Sequence, residues 1–166
     1  MKTSMTRPPE MDLQRLRKYP IFQDLSEPEL SEFVANSRIA TYDELHGRIL
    51  AQGEEANGMG IILNGKVKIF KHDAANVEHL LTVLKEGDFF GEMALLDSNT
   101  RSANVQALEP TTVLWLSAVD FQRFLASKSP LIAKILTRMV MDLSRRLRLL
   151  DERYVFIKSY FEKRAV

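Results

Sequence analysis

The sequence predicts a mainly β domain with helices at both ends, its strands forming an antiparallel sandwich or barrel. Three observations carry this. Short apolar or alternating runs separated by turn residues fill residues 38–116, with no helical period among them. The flanks, residues 27–36 and 117–163, show a helical period instead. The length, 166 residues with 45% hydrophobic and 27% charged side chains, suits one domain with a sizeable core. Within it, residues 1–19 read as a tail with a short helix, 20–129 as the β portion with flanking helices, and 130–166 as a long helix.

Residues 1–10 end in Arg7-Pro8-Pro9 and read as loosely attached; a short helix over 11–18 is stopped by Tyr19-Pro20. Ser26 is placed to cap a helix over 27–36. Pro28 sits in its first turn, Glu29 at N3 completes a capping box, and Leu30, Phe33 and Val34 face inward. Strands are expected over 38–42, 48–51, 59–63, 66–71, 79–84, 102–107 and 112–116. Asn64-Gly65, between Ile61-Ile62-Leu63 and Val67-Lys68-Ile69, reads as a hairpin turn. Ser117 caps a helix to about Ala126 with Phe121, Phe124 and Leu125 inward, and Ser129-Pro130 opens the long helix.

In that helix Leu136, Leu143, Leu150 and Ile157 fall seven apart, as do Val140, Leu147, Tyr154 and Phe161. This heptad pattern predicts a two-stranded coiled coil between copies of the chain; a helix folded back on its own core is the other reading. Ile132, Ile135 and Met139 form a second stripe that would seat the start of the helix on the β portion. Residues 130–166 hold nine Lys/Arg against four Asp/Glu, scattered as on a solvated helix face rather than clustered for nucleic acid.

Several function classes lose support. With no cysteine there are no disulfides, thiolate metal sites or cysteine nucleophiles. Neither a membrane span nor a signal-peptide core is evident, which favours a cytoplasmic protein. His46, His72 and His79 lack metal-ligand spacing, so neither a metal site nor the catalytic set of a jelly-roll enzyme is expected. No nucleophile elbow, P-loop or dinucleotide fingerprint is present. Met59, Met93, Met139 and Met141 read as core or seam filler, and Trp115 as core.

The chemistry concentrates in residues 89–105, FFGEMALLDSNTRSANV. Gly91 allows close backbone approach, and amides of the turn after it can point at an anion. Arg101 can close on the same anion with a charge-assisted fork. Glu92 would repel an anion and so must hold a hydroxyl or amine beside it. The joint pattern reads as a pocket for a phosphorylated sugar; a capped turn with a Glu92–Arg101 ion pair uses the same residues.

These residues also carry a resemblance. Phe90-Gly91-Glu92-Met93-Ala94-Leu95-Leu96, a four-residue gap, and Arg101-Ser102-Ala103-Asn104-Val105 resemble the phosphate-binding cassette of cyclic nucleotide-binding domains. Such domains occur in catabolite activator proteins, cyclic-nucleotide-dependent kinases and gated channels. Gln52-Gly53-Glu54, followed by Gly60-Ile61-Ile62-Leu63-Asn64-Gly65, resembles the family's upstream glycine motif. Pro20-Ile21-Phe22-Gln23-Asp24-Leu25-Ser26 resembles its opening segment.

The resemblance implies an antiparallel β-roll, a double-stranded jelly roll of about eight strands, flanked by N-terminal helices and a long C-terminal helix. It implies a non-enzymatic sensor without a cofactor that binds a 3′,5′-cyclic nucleotide, cAMP ahead of cGMP. Glu92 would accept the ribose 2′-OH and Arg101 would pair with the phosphate. Gly91, Ala94 and Leu95 would line the cassette turn, and Ser102 would add a hydroxyl. Phe90, Met93, Ala103 and Val105 complete the expected site. Where the family places a Thr-Ser pair that reads adenine, this chain has Leu150-Asp151. With about 15 residues after Asp151, no DNA-reading helix-turn-helix is expected. A homodimer formed through the long helix and an unnamed downstream protein are the expected partners. A roll that has lost its ligand and acts only as a dimerising scaffold is the alternative.

Overall fold

The computed structural model describes residues 5–43, 47–96 and 100–162. Eight strands form two four-stranded antiparallel sheets, with helices at both ends. The first sheet has the order β1 (Ser37–Tyr42), β8 (Thr111–Ser117), β3 (Gly58–Asn64), β6 (Phe89–Phe90). The second runs β2 (Arg48–Leu50), β7 (Asn104–Ala107), β4 (Lys66–His72), β5 (Glu78–Lys85). This is the β-roll. Seven strands follow the expected runs; β6, two residues long, was too short to show a period.

The first sheet is covered on both faces, which explains why β3 and β8 read as continuous apolar runs. Ile62, Val113 and Trp115 face the second sheet and pack with Val67, Leu84, Phe90, Val105 and Ala107. Met59, Ile61, Leu63, Leu114 and Leu116 belong to the other cluster, with Phe22, Leu25, Leu30 and Phe33 from the N-terminal segment and α2 (Glu27–Ala35). Gly60 permits this density: a Cβ there would stand 2.7 Å from both the Phe90 ring and Val113.

The hairpin expected at Asn64-Gly65 does not form. β3 pairs with β8 and β6, and β4 pairs with β5 and β7, so the chain crosses between sheets at this turn. Gly65 has φ +91°, and a Cβ would lie 2.5 Å from the Thr111 hydroxyl. The residue type marked a positive-φ corner correctly; the pairing partner is a long-range matter it does not encode. The hairpin that does form joins β4 and β5, where the Asp73 carboxylate accepts from the N–H groups of Ala75 and Val77, each at 2.9 Å.

Helical elements follow the expected caps. α1 spans Leu13–Leu16, and a 3-10 turn spans Pro20–Phe22. Ser26 and Glu29 make the capping box of α2, with Leu30 and Phe33 fully buried. Ser117 caps α4 (Ala118–Ala126), burying Phe121 and Phe124. Leu125 instead stands 36% exposed, because it falls off the face that α4 presents to the core. The N-terminal segment is less loose than expected, since Thr6 exchanges both backbone hydrogen bonds with Ile39.

The last helix, α5 (Pro130–Glu162), starts in the core. Leu131, Ile132, Ile135 and Met139 are buried with the N-terminal elements, α4 and the outer face of β3 and β8. Lys134 binds Glu29 at 2.7 Å, and Arg138 binds Asp24 at 2.5 Å. Beyond Met139 the helix leaves this cluster, and Val140, Leu147, Leu150, Tyr154 and Ile157 are all more than half exposed. Among the described residues no helix is long and apolar enough to cross a membrane.

Candidate functional site

The cassette lies between β6 and β7. After Phe90 the backbone turns at Gly91 with φ +79°, conditions only glycine meets: a Cβ would stand 2.8 Å from Arg101 Nη1. α3 (Met93–Leu96) follows directly. Residues 97–99, in the gap before Arg101, and His46 lie outside the described residues.

Arg101 is 4% exposed and Glu92 5%. The guanidinium donates from Nη1 to Gly91 O at 2.9 Å and from Nη2 to Gly58 O at 2.7 Å, while Nε is buried without a partner. Its backbone is fixed by the upstream glycine motif: Arg101 N–H donates to Glu54 O at 2.8 Å, and Gly53 N–H donates to Arg101 O at 2.9 Å. The two sequence motifs are thus one structural unit. Burial pulls the Arg101 guanidinium below its ordinary value, offset in part by Glu54 and Glu92. Burial also pushes the Glu92 carboxyl up; its own backbone N–H and Arg146 hold it back, and Asp142 pushes it further. The ion pair that the sequence allowed between Glu92 and Arg101 is not made. Each keeps hydrogen-bonding capacity for something else.

Both side chains line a cavity of about 440 Å³, within the range of small-ligand pockets. Of the expected site residues, Phe90, Gly91, Met93, Ser102, Ala103 and Val105 line it too. Phe90 is held edge-on against Trp115, ring centroids 5.5 Å apart. Met93, expected as filler, is 50% exposed at the rim, with Ser102 Oγ 3.7 Å from its sulfur. Met141 is likewise exposed.

Two expected residues stand apart from the cavity lining. Leu95 is buried in the core cluster rather than on the cavity, and its N–H already donates to Glu92 O at 3.0 Å, closing the turn. Asp151 is exposed and does not line the cavity, whereas its neighbour Leu150 does. Ala94 lies inside α3.

Sequence reasoning missed much of the wall: Leu50, Ile69, Lys71, Leu81, Thr82 and Leu84 from β2, β4 and β5, and Leu143, Arg146 and Leu147 from α5. Arg146 holds Asp142 at 2.5 Å, donates to Phe89 O at 3.1 Å and lies over the Phe89 ring. A signal existed in the heptads: Leu143, Leu147 and Leu150 belong to the stripe assigned to a partner helix, and here they cover the cavity. His72 and His79 are exposed, His72 edge-on to Phe70 and His79 paired with Asp73. Among the described residues no group of His, Asp or Glu is arranged to hold a metal ion.

Comparison with known proteins agrees with this geometry. The family described as "Cyclic nucleotide-binding domain" matches residues 46–128, half of the chain. The chain belongs to that family. It is 33% identical over 133 residues to the Cyclic AMP receptor protein of Thermus thermophilus, covering 80% of this chain and 59% of that protein. It is 37% identical over 112 residues to the cGMP-dependent protein kinase egl-4 of Caenorhabditis elegans, covering 66% of this chain and 14% of the kinase. Among solved structures, a cyclic nucleotide-binding domain from Methylobacillus flagellatus superposes with a TM-score of 0.75 at 25% identity, over 86% of this chain and 80% of that one. The Thermus thermophilus Catabolite Activator Protein gives 0.72 at 28%, over 84% and 63%. The chain therefore spans 59% of one curated relative and 14% of the other.

Proposed function

We propose that this chain binds a 3′,5′-cyclic nucleotide, cAMP ahead of cGMP, and serves as a cytoplasmic signalling sensor rather than an enzyme. The observation that carries the reading is the pair Glu92 and Arg101: opposite charges, both about nineteen-twentieths buried on one cavity, and not paired with each other. A buried charge without a partner is costly. A ribose cyclic phosphate supplies both partners at once. Its single anionic phosphate takes the guanidinium and backbone N–H groups at the start of α3. The 2′-OH, the one sugar hydroxyl left free, is donated to Glu92. Ser102 adds a hydroxyl on the phosphate side.

The response travels through α5. Leu143, Arg146, Leu147 and Leu150 touch the ligand space, and Val140, Tyr154 and Ile157 continue the same stripe into solvent. A second copy of the chain covers that stripe, so ligand closure against α5 alters how two protomers meet. Such a switch moves only as far as the ligand's differential affinity for the two states allows.

Calorimetric titration of cAMP and cGMP into the wild type and Arg101→Ala tests the reading. Wild type binds with micromolar or tighter affinity, and the variant loses at least a hundredfold. If neither nucleotide binds wild type below millimolar concentration, the sensor reading is wrong.

A further inference from the structure

We propose that the chain carries a second small-molecule site, across Arg101 from the cassette cavity, for a primary amine that bears a neutral carbonyl group. A separate cavity of about 340 Å³ lies there, large enough for a compact ligand. Arg101 and Leu50 line both cavities, so the two stand back to back. Trp115 lines the second cavity, while the Phe90 ring packed edge-on against it lines the first. The second site does not depend on what the cassette cavity binds.

The carbonyl follows from Trp115. This residue is 6% exposed, and its indole N–H is buried without a hydrogen-bond partner among the described residues. The Tyr42 hydroxyl, on the same cavity, lies near it. Burial pushes that hydroxyl's pKa up and the indole N–H holds it back, yet the two do not meet in hydrogen-bond geometry. An indole N–H only donates, and a phenol can donate beside it. A buried donor left without an acceptor is costly. One carbonyl oxygen, with two lone pairs, accepts from both groups.

The amine follows from the charges. Glu54, Glu55 and Asp120 line this cavity against Arg38 and Arg101, an excess of one carboxylate. Glu54 holds Arg48 at 3.2 Å and accepts from the Ala51 N–H. Asp120 accepts from the Ser117 hydroxyl at 2.6 Å and pairs with Arg123. Arg101 is committed to Gly58 O and Gly91 O. Glu55 is exposed and has no ion pair among the described residues, so it is the carboxylate open to an ammonium. An anionic ligand meets repulsion instead. Ile49 and Leu50 cover an aliphatic body between the two polar ends. Amino-acid amides have this chemistry.

Trp115 is the one tryptophan of the chain, so its indole N–H gives a single NMR signal. The full chain is titrated with three probes while that signal and the backbone amides are followed. L-Leucinamide has both polar ends. 3-Methylbutylamine keeps the ammonium and the alkyl body without the carbonyl. N-Acetyl-L-leucine keeps a carbonyl but is an anion. Leucinamide saturates with a dissociation constant on the order of 1 mM or below, moving the indole proton downfield together with amides near Ile49 and Glu55. Each of the other two binds at least about fivefold more weakly, the worth of one hydrogen bond or of the charge. Glu55→Gln and Tyr42→Phe, both mild changes, each weaken leucinamide by about threefold or more.

Absence of saturable binding by leucinamide at about 20 mM overturns the proposal. It falls equally if either comparison probe matches leucinamide, or if either variant binds it as wild type does. Shifts confined to residues 91–95 and 102–105, with the indole signal unmoved, would place the probe in the cassette cavity, and the second site falls with them.

Discussion

Arg101 and Leu150 line the same cavity and are held in place by different means. Arg101 sits in a lattice of backbone hydrogen bonds, between Gly53 and Glu54 along its main chain and between Gly58 and Gly91 at its guanidinium. Nothing there waits for the ligand to be ordered. Leu150 lies on a helix that is anchored at Leu131–Met139 and then runs past the roll. From that stretch Arg146 returns a side-chain hydrogen bond to Phe89 O of the roll. If the cavity takes the proposed ligand, rigid recognition falls to the roll and movable cover to the helix. A preorganised half supplies affinity; a half held by apolar contact can shift when a ligand fills the space beneath it.

The division breaks most severely in the cassette. Arg101→Ala removes the cation and two hydrogen bonds to carbonyls, and cyclic nucleotide affinity drops by at least a hundredfold by calorimetry. Its melting temperature changes little, because the lost hydrogen bonds are offset by relief of a desolvated charge. Gly91→Ala also abolishes binding, but it destabilises the fold by about 1–3 kcal/mol, since a positive φ and the contact with Arg101 Nη1 both oppose a Cβ. If Gly91→Ala melts like wild type, the cassette is less rigid than argued.

Glu92→Gln sharpens the same comparison. It weakens ligand binding by roughly ten- to a hundredfold, because an amide oxygen accepts from the ribose hydroxyl less strongly than a carboxylate. It raises the melting temperature of the ligand-free protein near neutral pH. The sign follows from burial: the Glu92 carboxyl titrates above its unfolded value, so between the two the native state binds more protons than the unfolded state. Its ionisation penalty is therefore present at neutral pH and relieved as pH falls through the raised value. The stability gap between Glu92→Gln and wild type closes on acidification, as thermal melts at pH 8 and pH 5 would show.

On the helix side the effects are smaller. Arg146→Met loses the bond to Phe89 O and the α5 cation that acts on Glu92, and weakens binding by only about three- to tenfold. Its mark is in coupling: ligand no longer protects the backbone amides of residues 140–155 from hydrogen exchange, although the cassette remains protected. Equal loss of protection in both places would erase the distinction between the two halves.

The same division explains what the sequence could reveal. The cassette is contiguous, and its glycine answers a local demand for a positive φ, just as Ser26 and Ser117 answer the local demand for helix caps. Those features were legible. The pairing of β3 with β8 and not with β4 was not, because Asn64-Gly65 specifies a backbone turn and leaves its strand partners to distant contacts. Nor was the second-sheet wall, since Ile69, Leu81 and Leu84 look like any half-buried strand. The α5 stripe was seen and only partly placed, for a heptad pattern shows that apolar residues share a face without saying what covers it. Leu143, Leu147 and Leu150 border the cavity and Tyr154 and Ile157 do not, although Leu147 and Leu150 are as exposed as Ile157.

The smallest effect tests the anchor on which the helix half depends. Lys134 reaches Glu29 at 2.7 Å, and Glu29 also accepts from the backbone and hydroxyl of Ser26. Lys134 foremost, then Ser26, hold its carboxyl down at about 2. A depressed native value places this stabilisation above the unfolded value, near 4.5, and removes it as pH falls through about 2. The lysine is partly exposed, so solvent screens the pair and its worth is that of a surface bridge, about 1 kcal/mol or less. Lys134→Met therefore lowers the melting temperature by roughly 2 °C near neutral pH in low salt. The difference shrinks in high salt and disappears near pH 2, where the wild-type carboxylate is itself protonating. Because Leu131, Ile132, Ile135 and Met139 still seat the helix, cyclic nucleotide affinity in Lys134→Met stays within about twofold of wild type. A larger loss of affinity would show that the helix start is a moving part of the switch and not its fixed end.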